Sequence, residues 1–432
     1  MRRIGFLTVW LFLVLPVVPA SALVGDSNGP FGLDGSIRVL GFYLNNYDFR
    51  PYFQGREADG LAQAVLRLAA AGKPADRLRY EAHLVQEATW RSAETASGGG
   101  FLGTYGGRTR YRALDEARDW LDDGRTRGAL WLDRLNVKLS LPRADLTIGR
   151  QAITFGKAHF WNPLDVYLPF DPRQFDRDYK PGVDAVRLDV PLGSFSGFNL
   201  VGVFGRELDL AGNFTDRNRD LSASWYGSSV LARGYATIKG WDLAVQGGKI
   251  YGGWQIGAGA VGEVRGVQFR AEAAWFWAED SPALPLPLAG NLYEDAFTGV
   301  LGMSYRFQNS LLVEAEVLYN GGGEDDRLET ALVRTRNGAL LHLGLWLAGF
   351  TASYELTPLT VGRLSVIQSL SDGSMQVQPM IVRSLADNAE LVLGLSLNLG
   401  DRPGADAFGL PVVRSEFGSY PDYLFAEVKF YF

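Results

Sequence analysis

Apolar and polar residues alternate along much of this chain with a period of two. Every second residue from Leu391 to Leu399 is a leucine, whereas Gly394, Ser396 and Asn398 lie between them. Successive side chains of an extended strand point to opposite faces, so this pattern predicts a strand with one apolar face. The same alternation recurs in segments 78–84, 267–277 and 311–319.

Such strands fit either a soluble sandwich, whose apolar faces form a core, or a transmembrane barrel, whose apolar faces contact lipid. Strand length favours the barrel, because a tilted strand needs about 9 to 11 residues to cross the hydrocarbon layer. We therefore predict an all-β protein, a transmembrane antiparallel β-barrel of about 18 strands. The predicted strands lie near 36–47, 61–71, 77–90, 127–140, 143–152, 182–190, 195–205, 227–238, 241–251, 254–263, 266–278, 296–307, 310–319, 339–356, 359–370, 375–384, 389–399 and 421–432.

The connections between these strands differ in length in a regular way. If the C-terminus is periplasmic, one side of the membrane has only short connections, such as Lys239-Gly240, Val264-Arg265 and Thr357-Pro358. Every long connection then lies on the other side, which is typical of outer-membrane barrels. The long connections are 48–60, 91–126, 153–181, 206–226, 279–295, 321–337 and 400–420.

The two ends of the chain predict export and membrane assembly. Residues 1–22 resemble a signal peptide, with two arginines, an apolar run and a small-residue triplet. Residues 23–432 then form a single barrel domain, in which 23–35 is a short lead-in. The last strand ends with Phe430 and Phe432 on its apolar face, which resembles the terminal strand that outer-membrane proteins present to the barrel-assembly machinery. We expect a bacterial outer-membrane location, with lipid and that machinery as partners.

Composition excludes several other classes of protein. The chain has no cysteine, so thiolate metal sites and disulfide scaffolds are ruled out. Without residues 1–22 it carries 40 basic and 48 acidic residues, a net charge of −8, which argues against a nucleic-acid partner. After Ala22 no apolar stretch is long enough for a membrane-spanning helix. No motif implies a metal or another cofactor.

The connection 153–181 is too apolar for a solvated loop. Its aromatic residues need a surface to pack on, and the inner barrel wall provides one. We predict that it folds inward and narrows the pore; the alternative is that the aromatics only staple an external loop to the rim. The packing aromatics are Phe160, Trp161, Tyr167 and Phe170, and the charged residues presented to the passage are Asp165, Asp171, Arg173, Asp176, Arg177, Asp178 and Lys180.

The alternation also identifies the residues that line the lumen. Basic residues outnumber acidic ones at the predicted inward positions, so we expect a lumen that concentrates anions or hydroxyl-rich acids. The alternative is that a polar lumen holds mixed ion pairs simply to be solvated. The predicted basic lining residues are Arg67, Arg79, Arg134, Lys138, Arg187, Arg233, Arg270, Arg306 and Arg363, and acids at inward positions include Glu81, Glu272, Glu314 and Glu316.

Several motifs resemble one family. Gly149-Arg150-Gln151 with Gly156, Trp161 to Asp165, and Pro181 to Ala185 resemble the wall-and-loop signature of porin-like barrels of Gram-negative bacteria. Segments 354–359, 371–374, 387–391 and 415–418 are similar to the same family. Its relation to alginate-export-type barrels is an analogy of fold, which does not decide the substrate. Because Arg150 falls on the lipid face of its predicted strand, we expect a bulge or an interfacial position there.

These observations predict a channel for passive diffusion of small hydrophilic solutes, anionic or sugar-like. One alternative is a barrel that exports or takes up a polysaccharide or oligosaccharide, and another is a structural or adhesive barrel. An enzyme is disfavoured, since His83, His159 and His342 are the only imidazole bases and no Gly-x-Ser-x-Gly or Walker-type motif occurs. The solute, the direction of transport, gating and the oligomeric state stay open.

Overall fold

The computed structural model describes residues 23–46, 57–93, 109–114, 116–175, 177–206, 223–279, 281, 283–284, 290–405 and 411–432. Eighteen strands form one closed antiparallel barrel, as the alternation predicts. They are β2 (Gly32–Asn45), β3 (Ala58–Ala75), β4 (Leu78–Arg91), β6 (Thr126–Leu141), β7 (Ala144–Gln151), β8 (Val183–Gly193), β9 (Ser196–Val203), β10 (Ser229–Ile238), β11 (Trp241–Ile250), β12 (Gly253–Val264), β13 (Val267–Ala278), β14 (Ala296–Arg306), β15 (Leu312–Asn320), β16 (Trp346–Thr357), β17 (Thr360–Ser369), β18 (Met375–Ala386), β19 (Ala389–Leu399) and β22 (Asp422–Tyr431).

The first and last long strands close the barrel. β22 pairs with β19 on one side and with β2 on the other, where Phe430 lies opposite Ile37. Beyond the strand, the Phe432 N–H donates to the Gly35 carbonyl at 2.9 Å. Closure leaves no unpaired strand edge, and lipid offers no hydrogen-bond partner to such an edge. The predicted terminal strand therefore joins the two ends of the sheet.

The two faces of each strand differ as the sequence predicts. On β13, Arg270 and Glu272 are buried inside the barrel, whereas Trp275 and Trp277 are exposed on its outer face. On β14 the outward Leu301 is 69% exposed. Apolar side chains thus dominate the outer surface and charged side chains point inward, which is the arrangement of a barrel in lipid.

The tight turns have the conformation that antiparallel hairpins favour. Lys239 and Gly240 have φ values of 51° and 82°, and Arg265 and Gly266 have 52° and 82°. Two consecutive residues with positive φ form a type I′ turn, whose twist matches that of the flanking strands. The second turn lies one residue later than the predicted Val264-Arg265, because the glycine takes a central position.

Two predicted connections contain further secondary structure. Connection 91–126 holds the short strand β5 (Arg118–Asp122), which pairs with β6. Connection 321–337 holds helix α1 (Leu328–Arg336). The prediction that a strand begins near 339 is wrong, since β16 begins at Trp346. Residues before it pack elsewhere: Leu340 and Leu343 lie against Leu328 and Ala331 of the helix, and this apolar contact replaces strand pairing.

Three other short strands lie outside the barrel wall. The predicted lead-in 23–35 contains β1 (Val24–Gly25), which pairs with the start of β2. β20 (Gly404–Ala405) and β21 (Pro411–Val412) pair with each other in the last long connection. In the part of the chain described, no helix is long and apolar enough to cross a bilayer.

Arg150 lies on neither the lipid face nor an interface. It is 4% exposed, and its guanidinium donates to the Asp184 carboxylate and to the Leu132 carbonyl. The expected bulge occurs on the neighbouring strand β6, where Asp133 has no partner in the register with β4. Strand β7 is irregular at Gly149, whose φ of 114° is a value that glycine adopts without strain. The irregularity buries a side chain that the alternation alone points toward lipid.

An arginine on the outer face should destabilise the barrel in lipid. Leu301 is the middle residue of β14, so Leu301→Arg should cost about 2–4 kcal/mol of unfolding free energy in lipid vesicles. Leu301→Phe is the matched control and should cost far less, because a phenyl ring stays in the hydrocarbon. Urea unfolding of the refolded proteins measures both, and equal stability of the two variants would show that this face does not contact lipid.

Candidate functional site

The segment between β7 and β8, residues 152–182, enters the barrel, and we call it the inward loop. Its backbone is bound by two glutamates that face the lumen. The His159 and Phe160 N–H groups donate to the Glu316 carboxylate at 2.5 and 2.8 Å. The N–H groups of Lys157, Ala158 and Leu164 donate to Glu272. Irregular backbone inside a barrel needs such acceptors, because no strand or helix partner satisfies it.

The backbone carbonyls of the inward loop are satisfied in the same way. Gln246 of β11 donates to the Leu164 carbonyl at 2.9 Å, and Gln255 of β12 donates to the Pro163 carbonyl at 3.2 Å. Glycine on the wall makes room for the loop, since a Cβ at Gly349 would lie 2.6 Å from the Phe160 ring. Side chains of β11, β12, β13 and β15 therefore fix residues 157–164 against the inner wall.

The four predicted packing aromatics lie inside the barrel, as the inward fold requires. Phe160 and Trp161 are buried in a cluster with the wall residues Val300, Leu318 and Leu347. Tyr167 is also buried and shares a hydrogen bond with Ser229, and Phe170 is half-buried. The apolar surface that these rings cover is the inner wall, so the loop is folded inward as predicted and is not stapled to the rim.

The second half of the loop reaches the opposite part of the wall. Phe175 stacks on Phe425 of β22, with ring centroids 4.1 Å apart. Asp178 accepts hydrogen bonds from Lys429 at 2.7 Å and from Tyr431 at 3.1 Å. Between β7 and β8 the chain therefore crosses the interior, because its contacts run from β11 through β15 to β22.

The charged residues predicted on this loop are mostly engaged in pairs. Asp165 pairs with Lys180, and both are buried. Asp171 pairs with Arg173 at 2.5 Å, and Arg177 donates to the backbone carbonyls of His159 and Pro172. Asp176 lies outside the described residues. These groups neutralise one another while they hold the loop in shape, and of them Asp165 also lines a cavity.

Burial and charge set the ionisation of two groups on the loop. Burial opposes the ionisation of Asp171, but the adjoining Arg173 outweighs it and keeps the pKa of this carboxyl below its ordinary value. Burial lowers the pKa of His159 to about 4, against the attraction of the Glu314 carboxylate 3.1 Å away. Near neutral pH the loop therefore contains a charged Asp171 and an uncharged His159.

A buried charge cluster lies where the loop returns to the wall. Three guanidinium groups surround the Asp133 carboxylate: Arg67 at 2.8 Å, Arg112 at 2.5 Å and Arg134 at 3.0 Å. Arg134 also donates to the Lys180 carbonyl and Arg112 to the Gly182 carbonyl. Alternation along the sequence predicts Arg67 and Arg134 at the lumen but gives no indication of Arg112 and Asp133. Asp133 occupies the bulge of β6, and no alternation pattern reveals a bulged residue.

The predicted basic lining residues divide into two groups. Five of them pair with carboxylates: Arg67 and Arg134 with Asp133, Lys138 with Asp145, Arg187 with Asp189, and Arg270 with Glu314. The other four form no ion pair with a carboxylate of the described residues. Arg79, Arg306 and Arg363 lie toward the short-turn ends of their strands. Arg233 lines a cavity.

Two cavities lie on opposite sides of the inward loop. The first, of about 520 Å³, is bordered by Asp165, Tyr179 and residues 338–341 of a long connection. The second, of about 600 Å³, is bordered by Leu164, by the short connection at 194–195, and by Thr237 and Asp242 on either side of another short turn. Leu164 and Asp165 are adjacent, so the loop backbone separates the two spaces. Both volumes are within the range of small-molecule sites, about 300–1,000 Å³.

Comparisons with known proteins identify the fold. No family model matches the chain, and no curated protein sequence matches it. The structure is similar to OccAB2 of Acinetobacter baumannii, with a TM-score of 0.54 and 10% identity over 95% of this chain and 99% of that one. OccAB4 of the same organism gives a TM-score of 0.54 and 8% identity over 94% and 100%. The chain has the fold of Gram-negative porins, which confirms the resemblance to porin-like barrels at the level of fold.

Removal of the central carboxylate should destabilise the site strongly. Asp133→Asn leaves three buried guanidinium groups without their counter-charge, so we expect a loss of about 3–5 kcal/mol of unfolding free energy. Asp145→Asn is the matched control, because the Asp145–Lys138 pair is partly exposed and should cost at most about 1 kcal/mol. Urea unfolding in lipid vesicles measures both. Similar losses for the two variants would contradict a structural role for the cluster.

Proposed function

We propose that this protein is an outer-membrane channel for the passive diffusion of small hydrophilic solutes, with a preference for anionic or sugar-like ones. The observation that carries the proposal is the inward loop, which crosses the interior and leaves a cavity on either side. A passage of this kind admits small solutes and limits their size. A polysaccharide chain needs a continuous wide lumen, so the crossing loop favours small solutes over polymers.

The inward loop is proposed as the constriction. Its backbone between Lys157 and Leu164 is bound to Glu272 and Glu316, so it stays in place without a gating domain. Asp165 and Tyr179 face the cavity on the long-loop side. A solute moving inward would meet these groups first and then the second cavity, where Arg187 and Arg233 line the wall.

The distribution of charge supports a preference for anions. Arg79, Arg233, Arg306 and Arg363 form no ion pair with a carboxylate of the described residues, so no direct pairing neutralises their charge. Three of the four predicted inward glutamates are less available to a solute, since Glu272 and Glu316 accept backbone N–H groups and Glu314 pairs with Arg270. Arginine offers a planar pair of donors that suits carboxylates and hydroxyl-rich acids. The lumen should therefore attract anions more than cations.

The outer membrane is the proposed location, with lipid around the barrel and the assembly machinery acting on β22. The outward apolar face and the closed sheet support the membrane assignment.

Residues 1–22, outside the described part of the chain, are proposed as an export signal. The protein is also proposed to act without enzymatic chemistry. Among the described residues, no group of three or more acidic or histidine side chains is arranged to hold a metal ion.

Release of the inward loop should enlarge the pore. In Glu272→Ala/Glu316→Ala the five N–H bonds to these carboxylates are lost, and each bond to a charged group is worth about 1.5–3 kcal/mol. We expect a higher and noisier single-channel conductance in planar bilayers. Glu263→Ala, at an exposed position near a short turn, is the control and should conduct like the unmodified protein. An unchanged conductance in the double variant would contradict the constriction.

The unpaired arginines should determine ion selectivity. In a potassium chloride gradient the unmodified channel should show a reversal potential of the sign that indicates anion preference. Replacement of Arg79, Arg233, Arg306 and Arg363 by glutamine should abolish that preference. Arg125→Gln, in an exposed external turn, is the control for loss of a positive charge. This variant should retain the anion preference. Cation preference in the unmodified protein would refute the assignment of solute charge.

A further inference from the structure

The external mouth of the barrel contains a contact between separate parts of its wall. Arg110 belongs to connection 91–126, and its carbonyl accepts a hydrogen bond at 2.8 Å from the N–H of Arg206, just beyond β9. Its guanidinium donates to the Gly338 carbonyl, in the connection that follows β15. β15 stands six strands from β9 in a barrel of 18, so the contact spans a large part of the mouth.

The guanidinium of Arg110 lies in a cage of tyrosines. Its Nη1 donates to the Tyr293 hydroxyl at 2.9 Å, and its Cζ lies 4.8 Å from the Tyr251 ring centroid and 5.9 Å from that of Tyr111. Tyrosine faces attract cations, and the attraction grows when water is excluded. The cage supplies two acceptors to one planar group, Tyr293 Oη and the Gly338 carbonyl oxygen. This combination fits a guanidinium better than an ammonium ion, which has no planar fork.

The cage forms part of the wall of the external cavity. Arg110, Tyr251, Tyr293 and residues 338–341 all border the space of about 520 Å³ above the inward loop. Tyr111 also connects the cage to that loop, because its hydroxyl donates to the Val166 carbonyl at 3.1 Å. Occupation of the cage by Arg110 therefore bridges the cavity on its external side.

We infer that the tyrosine cage is a guanidinium-binding site that Arg110 occupies as a latch, and that its occupation holds the external mouth closed. Solutes that carry a guanidinium group compete with Arg110 for the cage and release the latch. The tethered side chain has a local concentration on the order of millimolar, so a free guanidinium competes only at comparable or higher concentrations. The inference adds to the proposed channel a ligand class and a control of access.

Displacement of Arg110 tests the inference through channel currents. Arg110→Ala should open more often than the unmodified protein in planar bilayers. Added ethylguanidinium should raise the opening frequency of the unmodified protein and leave that of Arg110→Ala unchanged, because the variant has no latch to release. Ethylammonium should need about tenfold higher concentration, since its single nitrogen does not match two acceptors placed for a planar fork. Arg125→Ala, at an exposed position in the same connection, is the control and should behave like the unmodified protein. Equal potency of the two cations, or unchanged gating in Arg110→Ala, overturns the latch.

Equilibrium dialysis separates this inference from the proposed function, because it needs no conductance. Detergent-folded Arg110→Ala should bind radiolabelled ethylguanidinium about tenfold more tightly than the unmodified protein, whose cage is already filled. Binding no tighter than in the unmodified protein refutes the cage even if the channel conducts. If no variant conducts, the proposed function fails while dialysis still decides on the cage.

A milder variant keeps the test decisive if Arg110→Ala does not fold. Tyr293→Phe removes one acceptor of the cage and keeps its ring, so it should loosen the latch without removing a charge. We expect more frequent openings than in the unmodified protein and weaker ethylguanidinium binding, because the ligand loses the same acceptor as Arg110. A control at a distant ring, Tyr354→Phe, on the exposed part of β16, should change neither. Identical behaviour of the two tyrosine variants overturns the inference.

Discussion

The hydrogen bonds from the inward loop to Glu272 and Glu316 are the interaction on which the barrel interior depends. A loop without regular structure carries many backbone N–H groups, and each must find an acceptor where water is restricted. The two carboxylates accept five of them. This fixes the loop across the lumen, divides the interior into two cavities and removes two negative charges from contact with solutes. The proposed constriction and the proposed selectivity thus have a common physical origin.

The lumenal charges serve two purposes in different regions. Around Asp133, where the inward loop and the external connection meet the wall, cations and anions are paired and buried. Such clusters hold backbone segments in place, since a buried charge is stable only beside its partner. Toward the short turns, Arg306 and Arg363 have no carboxylate partner in the described chain and remain accessible. Paired charges therefore maintain the structure, and the proposed attraction of solutes rests on the unpaired ones.

The inward loop and the external mouth form one connected system. Tyr111 packs against Tyr167 of the loop at a ring distance of 5.6 Å and against Tyr251 of the cage at 5.7 Å. The mouth and the loop are therefore joined directly by contacts between rings. In the proposed latch, release of Arg110 acts on the inward loop through these contacts.

The sequence by itself determined the barrel, its strand positions and the inward or outward direction of most side chains. The period of two in β19 and the glycine in turns such as Arg265-Gly266 are local features, and local backbone geometry converts them directly into structure. The partners of Arg110 depended on closure of the sheet, whereas those of Asp133 and the burial of Arg150 depended on the bulge in β6. Alternation states which face a residue occupies but not which distant residue it meets, and only the tertiary structure brings such residues together.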